Sequence, residues 1–423
     1  MGGLIFAAPA SGSGKTTVTL GFLRATARQG VPIRSAKSGP DYIDPRFHAA
    51  ASGRECVNLD AWAMTPDRLR HLAAHSPGET LLIEGAMGLF DGAPPDGKGS
   101  SADLARLLGL PVVLIIDCAR MAGSVAAIAH GFATLDPQVQ VAGVILNNIG
   151  SPRHEEMLRR ALPETPLFGA VPRNSALSQP SRHLGLEQAE ERPDLDQFLE
   201  TAANIMAENL DIEALLELAA QHDVPKGTAT PLPPPAQRIA VAQDRAFGFS
   251  YPHMLTDWRA AGAELAFFSP LGDDPVPQAD FIFLPGGYPE LHAGQLSATQ
   301  NFLPSLRKAA QTTPIYGECG GYMVLGDGLI DAEGTGHEMA GLLRLETSFA
   351  QRKLHLGYRT LCALRGPFPG SYTGHEFHYA STLRAEGDSL FYAEDAMGTQ
   401  LGPTGLTQGH VHGSFAHIID RAT

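Results

Sequence analysis

The stretch LIFAAPASGSGKTT, Leu4 to Thr17, carries an apolar run straight into a Gly- and Ser-rich turn that ends in Gly-Lys-Thr-Thr. A strand, a glycine turn and a helix in that order let backbone N–H groups surround phosphate oxygens at a helix N-terminus. In this reading Gly12 and Gly14 give the turn its freedom and Thr17 continues the helix start. Lys15 reaches the β and γ phosphates of ATP, and Thr16 offers its hydroxyl to Mg²⁺. The common GxxxxGK[ST] pattern has Gly where this chain has Pro9. A plain flexible turn is the alternative, and the intact GKTT between strand and helix speaks against it.

Outward from that start, short β-rich runs alternate with helical stretches. Leu4–Ala8, Pro32–Lys37, Leu81–Glu84, Val112–Asp117 and Val141–Asn147 read as strands, and Thr16–Gln29 and Gly123–Leu135 as helices. The rhythm predicts βαβ units and a doubly wound, mostly parallel α/β sheet. A helical stretch over Asp194–Ala220 leads into DVPKGTATPLPPPAQR, whose prolines cannot continue it and should form an extended connection. We therefore place a first domain at 1–222, a Pro-rich linker at 223–237 and a second α/β domain at 238–423. In the second, Arg238–Val241, Glu264–Phe268, Asp280–Leu284 and Pro314–Gly317 read as strands, Met254–Ala261 and Thr299–Ala310 as helices, and the last hundred residues as added β-structure.

Composition narrows the function. The 423 residues hold 31 Lys and Arg against 45 Asp and Glu, a net −14, which argues against a general grip on nucleic acid or an anionic membrane, so any phosphate site must be local. Cys56, Cys118, Cys319 and Cys362 stand far apart with no CxxC pair, which fits a reducing cytoplasm rather than a disulfide framework or structural zinc. No apolar run is long enough to cross a bilayer, and MGGLIFAAPAS lacks a basic flank and reads as the first strand.

Two acidic segments sit where a nucleotide enzyme needs them, at the carboxyl ends of strands. KSGPDYIDP brings Lys37, Asp41 and Asp44 onto a loop, and LLIEGAMGLFDG ends a strand with Glu84 and carries Asp91 on the next loop. Hard oxygens are what Mg²⁺ prefers, so Thr16, Asp41 and Glu84 are the expected ligands, with Lys37 and Asp44 at the reacting groups. Each carboxylate alone reads as easily as a solvated loop residue or cap. GVILNN ends a strand with amides that could read an adenine edge through Asn147, or equally cap a turn. PSRHLGL offers Arg182 and His183 to an anionic substrate, with a structural ion pair as the equal alternative for Arg182.

The second half turns on PIYGECGGYMVLG, Pro314 to Gly326. Strand, tight turn and helix place Cys319 at a nucleophile elbow, where a helix N-terminus is expected to lower the thiol pKa. Cys118, at the end of an apolar strand, reads as a buried small hydrophobe. The bases on offer are His375 and His378 in TGHEFHYA and His410, His412 and His417 in QGHVHGSFAH. HEFH lacks the spacing of the HExxH zinc helix, so a metalloprotease reading fails. In FLPGGYPE the N–H groups near Gly287 and Tyr288 could stabilise an oxyanion.

GECGGY with FLPGGYPE and a later His-Gly segment resembles a class I glutamine amidotransferase domain of flavodoxin-like fold. ASGSGKTT, KSGPDYIDP and EGAMGLFDG resemble the P-loop NTPase-like half related to dethiobiotin synthetase. With PSRHLGL and TGHEFHYA they resemble, over nearly the whole chain, the corrin-ring a,c-diamide synthases, which act on hydrogenobyrinate or cobyrinate. The resemblance implies a ligase using ATP, Mg²⁺ and glutamine on a corrinoid tetrapyrrole. It maps Lys15, Thr16, Lys37, Asp41, Asp44, Glu84 and Asp91 onto the ATP, Mg²⁺ and acyl-phosphate region. It makes Cys319 the glutaminase nucleophile and His412 its base, with His417 in reserve, because the triad Glu expected two residues beyond His412 is Ser414. Cobyric acid synthase and a nickel-sirohydrochlorin enzyme are alternatives within the class. A P-loop regulatory ATPase with a silent amidotransferase-like domain and a simple thiol hydrolase are alternatives outside it, and a homodimer is left open.

Overall fold

An apolar run without alternation needs cover on both faces, which a parallel sheet between helix layers supplies. The computed structural model describes residues 2–74, 78–178, 181–182, 185–186 and 188–422, with side chains of 181–182, 185–186 and 190 left aside. Its first strands are β1 (Gly3–Ala7), β2 (Ile33–Ser38), β3 (Val57–Leu59), β4 (Thr80–Glu84), β5 (Val112–Asp117), β6 (Val141–Ile149) and β7 (Leu167–Pro172). All pair in parallel, in the order β3-β2-β4-β1-β5-β6-β7. The order reverses at β1, so the loops leaving the carboxyl ends of β1 and its neighbours face one crevice.

Helix α1 (Lys15–Arg28) starts in the glycine turn, and α2 (Asp44–Ser52) follows β2. The expected loop over KSGPDYIDP is thus shared among three elements. Lys37 lies in β2, Asp41 in the connection, and Asp44 opens α2 with Pro45 behind it, where proline's missing N–H costs nothing. The single helix expected over Asp194–Ala220 is two, Leu195–Asn209 and Ile212–Ala220. Leu210 is extended, and the Asp211 side chain accepts from Ala214 N at 3.0 Å, so a cap restarts the helix. Against α1 the first of these helices comes so close that a Cβ on Gly21 would stand 2.4 Å from Met206 Cγ.

The chain divides into two units at Ala229/Thr230, inside 224–234, which hold neither helix nor strand. In the second unit a six-stranded sheet runs in the order Glu264–Phe268, Arg238–Ala242, Phe281–Leu284, Ile315–Glu318, Val411–Ser414 and Leu406–Gln408, parallel except for the last. Its core gathers Ile282, Leu284, Ile315, Tyr322, Met323 and Val324 around the turn that carries Cys319. The added β-structure is a four-stranded and a five-stranded sheet. In the latter, Ser371–His378 lies between His355–Ala363 and His417–Arg421, antiparallel to both. No helix among the described residues is long and apolar enough to cross a membrane.

Candidate active sites

Gly14 has φ 86°, and a Cβ there would stand 2.2 Å from the Asn147 side-chain nitrogen. Asn147, at the end of β6, donates from that nitrogen to the Ser13 carbonyl at 2.9 Å. The amide expected to read an adenine edge here braces the phosphate loop. Gly12 also takes positive φ, 80°, and Thr17 follows on the first turn of α1. Lys15 Nζ donates to the Met87 carbonyl at 2.6 Å, and Asp91 holds the same loop by accepting from Gly88 N at 2.9 Å. Burial pulls the Lys15 amine below its ordinary value, with Glu84 opposing. A Cβ on Gly88 would lie 2.7 Å from the Pro9 carbonyl, so the Glu84-to-Asp91 loop sits tightly on the start of the phosphate loop.

Beside Lys15 the ends of β2, β4 and α2 converge. Thr16 Oγ1 donates to Glu84 Oε1 at 2.7 Å and lies 3.4 Å from Asp44 Oδ2. Lys37 Nζ reaches Asp44 Oδ2 at 2.5 Å and Glu84 Oε1 at 2.8 Å, all three side chains being buried. Burial alone would neutralise Lys37, but Asp44, Glu84 and Asp41 outweigh it and hold the ammonium well above its ordinary range. Asp44 is pushed up to about 6 by burial and by Asp41, while Lys37 and His48 keep Glu84 ionised despite its burial. Asp41, an expected metal ligand, is engaged elsewhere: its Oδ1 accepts from the amides of Ile43 and Asp44 and turns the chain into α2. The hard oxygens that converge at Thr16 are those of Asp44 and Glu84, a set that would suit Mg²⁺.

Sequence reasoning missed His48. Its Nε2 lies 2.6 Å from Glu84 Oε2, and its Nδ1 is 3.4 Å from Cys56 Sγ. Burial works against its charge, yet Cys56 and Glu84 lift it to about 10. The signal was present in DPRFH, since Asp44 and His48 stand i, i+4 on one face of α2.

In the second unit Cys319 has φ 46° and ψ −104°, a backbone strained for a non-glycine residue, between the strand Ile315–Glu318 and the helix Gly320–Leu325. Its neighbours must be small. A Cβ on Gly321 would stand 2.0 Å from the Leu284 carbonyl, and one on Gly320 2.7 Å from Pro289 and 3.1 Å from Gly287 N. The turn with Gly287 and Tyr288 is thereby pressed against the thiol's helix. The expected drop in thiol pKa does not occur: burial, with Glu290 next, pushes Cys319 well above its ordinary value. Cys118 is likewise buried and pushed up to about 12 by burial.

The histidines separate. His412 Nδ1 is 2.6 Å from Thr407 Oγ1, and its strand position pairs with Tyr316, three residues before the thiol. His417 stands by the thiol instead: a Cβ built on Gly286 would lie 2.2 Å from His417 Cε1 and 3.2 Å from Cys319 Cβ. The Cys319 amide donates to the Ser414 carbonyl at 2.9 Å, which ties the loop leading to His417 to the elbow. Behind His417, Glu318 Oε2 is 3.6 Å from Nδ1, and Glu318 Oε1 accepts from Ile418 N at 2.9 Å. Burial pushes Glu318 up to about 8, and burial with the nearby His375 and His378 holds His417 down at about 3. His183 and the side chain of Arg182 lie outside the described residues.

A phosphate loop ringed by a lysine–carboxylate cluster, followed on the same chain by a strained thiol with its histidine, defines the glutamine-dependent synthetases. Residues 4–187 match the CobQ/CobB/MinD/ParA nucleotide binding domain and residues 238–422 the CobB/CobQ-like glutamine amidotransferase domain. The hydrogenobyrinate a,c-diamide synthases of Brucella anthropi and of a Sinorhizobium species are each 54% identical to this chain, covering 99% and 100% of it and 99% of their own lengths. That of Rhodobacter capsulatus is 52% identical, over 99% of this chain and 98% of its own. The chain belongs to the hydrogenobyrinate a,c-diamide synthase family, ATP-dependent ligases that take their nitrogen from glutamine.

Proposed function

We propose that this chain amidates the a and c acetate side chains of hydrogenobyrinic acid, with cobyrinic acid as the alternative ring. One observation carries the reading: the Lys15–Lys37–Glu84 phosphate site and the Cys319–His417 thiol site lie on one chain that its relatives match end to end. A carboxylate is a poor electrophile at neutral pH. The first site overcomes this by moving the ATP γ-phosphoryl onto it, with Lys15 and Lys37 offsetting the developing charge. Mg²⁺ held by Thr16, Asp44 and Glu84 would supply further positive charge at the phosphates. His48 keeps Glu84 turned toward Thr16, and Asp91 keeps the Met87 carbonyl at Lys15. Arg182 and His183 are assigned to the carboxylates of the macrocycle from the sequence alone.

In the second site the Cys319 sulfur attacks the glutamine amide carbon while His417 takes the thiol proton and returns it to the departing nitrogen. The N–H groups at Gly287 and Tyr288 receive the oxyanion, and Glu318 orients His417 as the third member that Ser414 could not supply. Water hydrolyses the thioester to glutamate. The ammonia displaces phosphate from the acyl phosphate, giving the amide, and a second round gives the diamide. All four cysteines are free, which suits a cytoplasmic enzyme. The test is to incubate the protein with ATP, Mg²⁺, glutamine and either hydrogenobyrinic or cobyrinic acid and to count amides by mass spectrometry. Two amides on one ring are expected; none on either refutes the proposal.

A further inference from the structure

TGHEFH is a strand, not a helix, and this changes what its residues can do together. In a strand i and i+2 share a face, so Glu376 and His378 project to the same side. The neighbouring strand pairs His355 directly opposite His378 and Gly357 opposite Glu376, and the space a side chain at 357 would take is occupied by the Arg359 guanidinium that bonds Glu376. One ligand atom from each of His355, Glu376 and His378 lies within 4.8 Å of the other two.

The group is built rather than accidental. The His378 ring is sandwiched between His355, at 4.6 Å and 9°, and Phe415, at 3.9 Å and 16°, which fixes its plane, and the half-buried His355 ring must turn out of this stack for its in-plane lone pair to reach an ion beside His378. Its side chain is 4% exposed, and its buried Nδ1 has no hydrogen-bond partner. Glu376 Oε1 meets His378 Nε2 at 2.9 Å and Oε2 accepts from Arg359 Nε at 2.8 Å, so the carboxylate is aimed and anchored from behind. His355 and Glu376 are only half-buried, leaving a mouth toward solvent.

We propose that His355, Glu376 and His378 form a three-ligand site for a divalent transition-metal ion of the zinc class. Two imidazoles and a carboxylate with an open fourth position are a set that zinc favours. An ion bound at roughly 2.0–2.2 Å in tetrahedral geometry holds neighbouring ligand atoms about 3.4 Å apart. The 2.9 Å bond between His378 and Glu376 then opens by about half an ångström, and the proton they share leaves to solvent as the ion enters. Phe377, between these two ligands, offers its carbonyl 3.9 Å from Cys319 Sγ, so an ion here fixes the strand that faces the thiol. His378 bears on His417 electrostatically, but none of the three makes or breaks a bond in the amidation chemistry above.

The test uses the full chain, stripped with a chelator and kept in excess Mg²⁺ to occupy the hard-oxygen set of the nucleotide unit, then titrated with Co²⁺ and displaced with Zn²⁺. One equivalent with visible d–d absorption, displaced by Zn²⁺, is expected. His355→Ala and His378→Ala should weaken it by at least the roughly 10–100-fold that even an outer-shell change costs, while Cys319→Ala leaves it unchanged. Absence of saturable binding, equal binding in the histidine variants, or a sulfur-to-cobalt charge-transfer band that vanishes in Cys319→Ala would overturn the site. A second measurement needs no variant. One equivalent of Zn²⁺ should shield the half-buried His355 of the wild type from diethyl pyrocarbonate, read by peptide mass spectrometry, and unchanged modification of His355 would count against the proposal.

Discussion

His417 Nδ1 lies 3.6 Å from Glu318 Oε2, and Glu318 immediately precedes the thiol-bearing Cys319. The acid proposed to steady His417 thus comes from the strand that leads into the thiol. His417→Ala should lower glutamine-dependent amidation by roughly 10²–10⁴-fold in kcat, whereas His412→Ala, which loses a bond to Thr407, should stay within a few-fold. Equal losses in the two variants would return the base to His412.

The two chemistries should separate by nitrogen source. Cys319→Ala is expected to abolish glutamine-dependent amidation and to leave ammonia-dependent amidation near the wild-type rate, because only the nitrogen donor passes through the thiol. Lys15→Ala should remove both, since it withdraws the ammonium that meets the Met87 carbonyl and is assigned to the phosphates of ATP. Parallel assays with glutamine and ammonium salts decide it; a Lys15→Ala enzyme of full activity refutes the phosphate-loop assignment.

How far the sequence carried these sites depends on how local each device is. The strand–turn–helix around Gly14 and the elbow at Cys319 are short-range, and both stand where the motifs put them. The histidine was harder, because QGHVHGSFAH offers three within eight residues. Which one returns to the thiol is decided by the Ser414 carbonyl pinned to the Cys319 amide, a contact 95 positions apart in the chain. Asn147 shows the same limit: its amide was legible as a strand-end donor, but its acceptor, the Ser13 carbonyl, is a tertiary fact. Asp41 was read as a ligand from its place at a strand's carboxyl end, and what that reading lacked is that a position two residues before Ile43 also suits a turn that accepts backbone amides.

His48 tests the buried cluster of the nucleotide unit. His48→Ala leaves one Glu84 oxygen buried without its 2.6 Å partner. That should cost roughly 1–3 kcal/mol or more of stability and let Glu84 turn from Thr16. Amidation with glutamine and with ammonia should then fall in parallel, the opposite of the split expected for His417→Ala. A stable His48→Ala enzyme that loses only the glutamine reaction would contradict the role given to this residue.

Glu290 gives a stability that depends on pH with a definite sign. It is buried, and burial pushes its carboxyl up to about 8, with its own backbone amide and Arg352 opposing. The folded state therefore holds a proton that the unfolded state releases near its ordinary value of about 4.5. The contribution is fully present below that value and is lost as pH rises toward 8, on the order of a few kcal/mol. Glu290→Gln keeps the shape without the ionisation. Across pH 5 to 8 the unfolding midpoint of wild type should decline relative to the variant; a constant difference would show that the proton is not held.

Gly286→Ala examines the geometry of the thiol site without touching a reacting group. The added methyl would stand 2.2 Å from His417 Cε1 and 2.9 Å from Nε2, closer than real side-chain carbons approach. Gly286 also offers its carbonyl to Phe249 N at 2.9 Å, so the backbone is tied and cannot easily retreat. The ring must therefore move, and the Cys319–His417 alignment moves with it. We expect glutamine hydrolysis to fall by at least 10²-fold, the cost of about 1 Å of misplacement at a reacting pair, while ammonia-dependent amidation continues. Glutamine-dependent turnover at the wild-type rate in a folded Gly286→Ala protein would mean that His417 is not the residue that takes the proton.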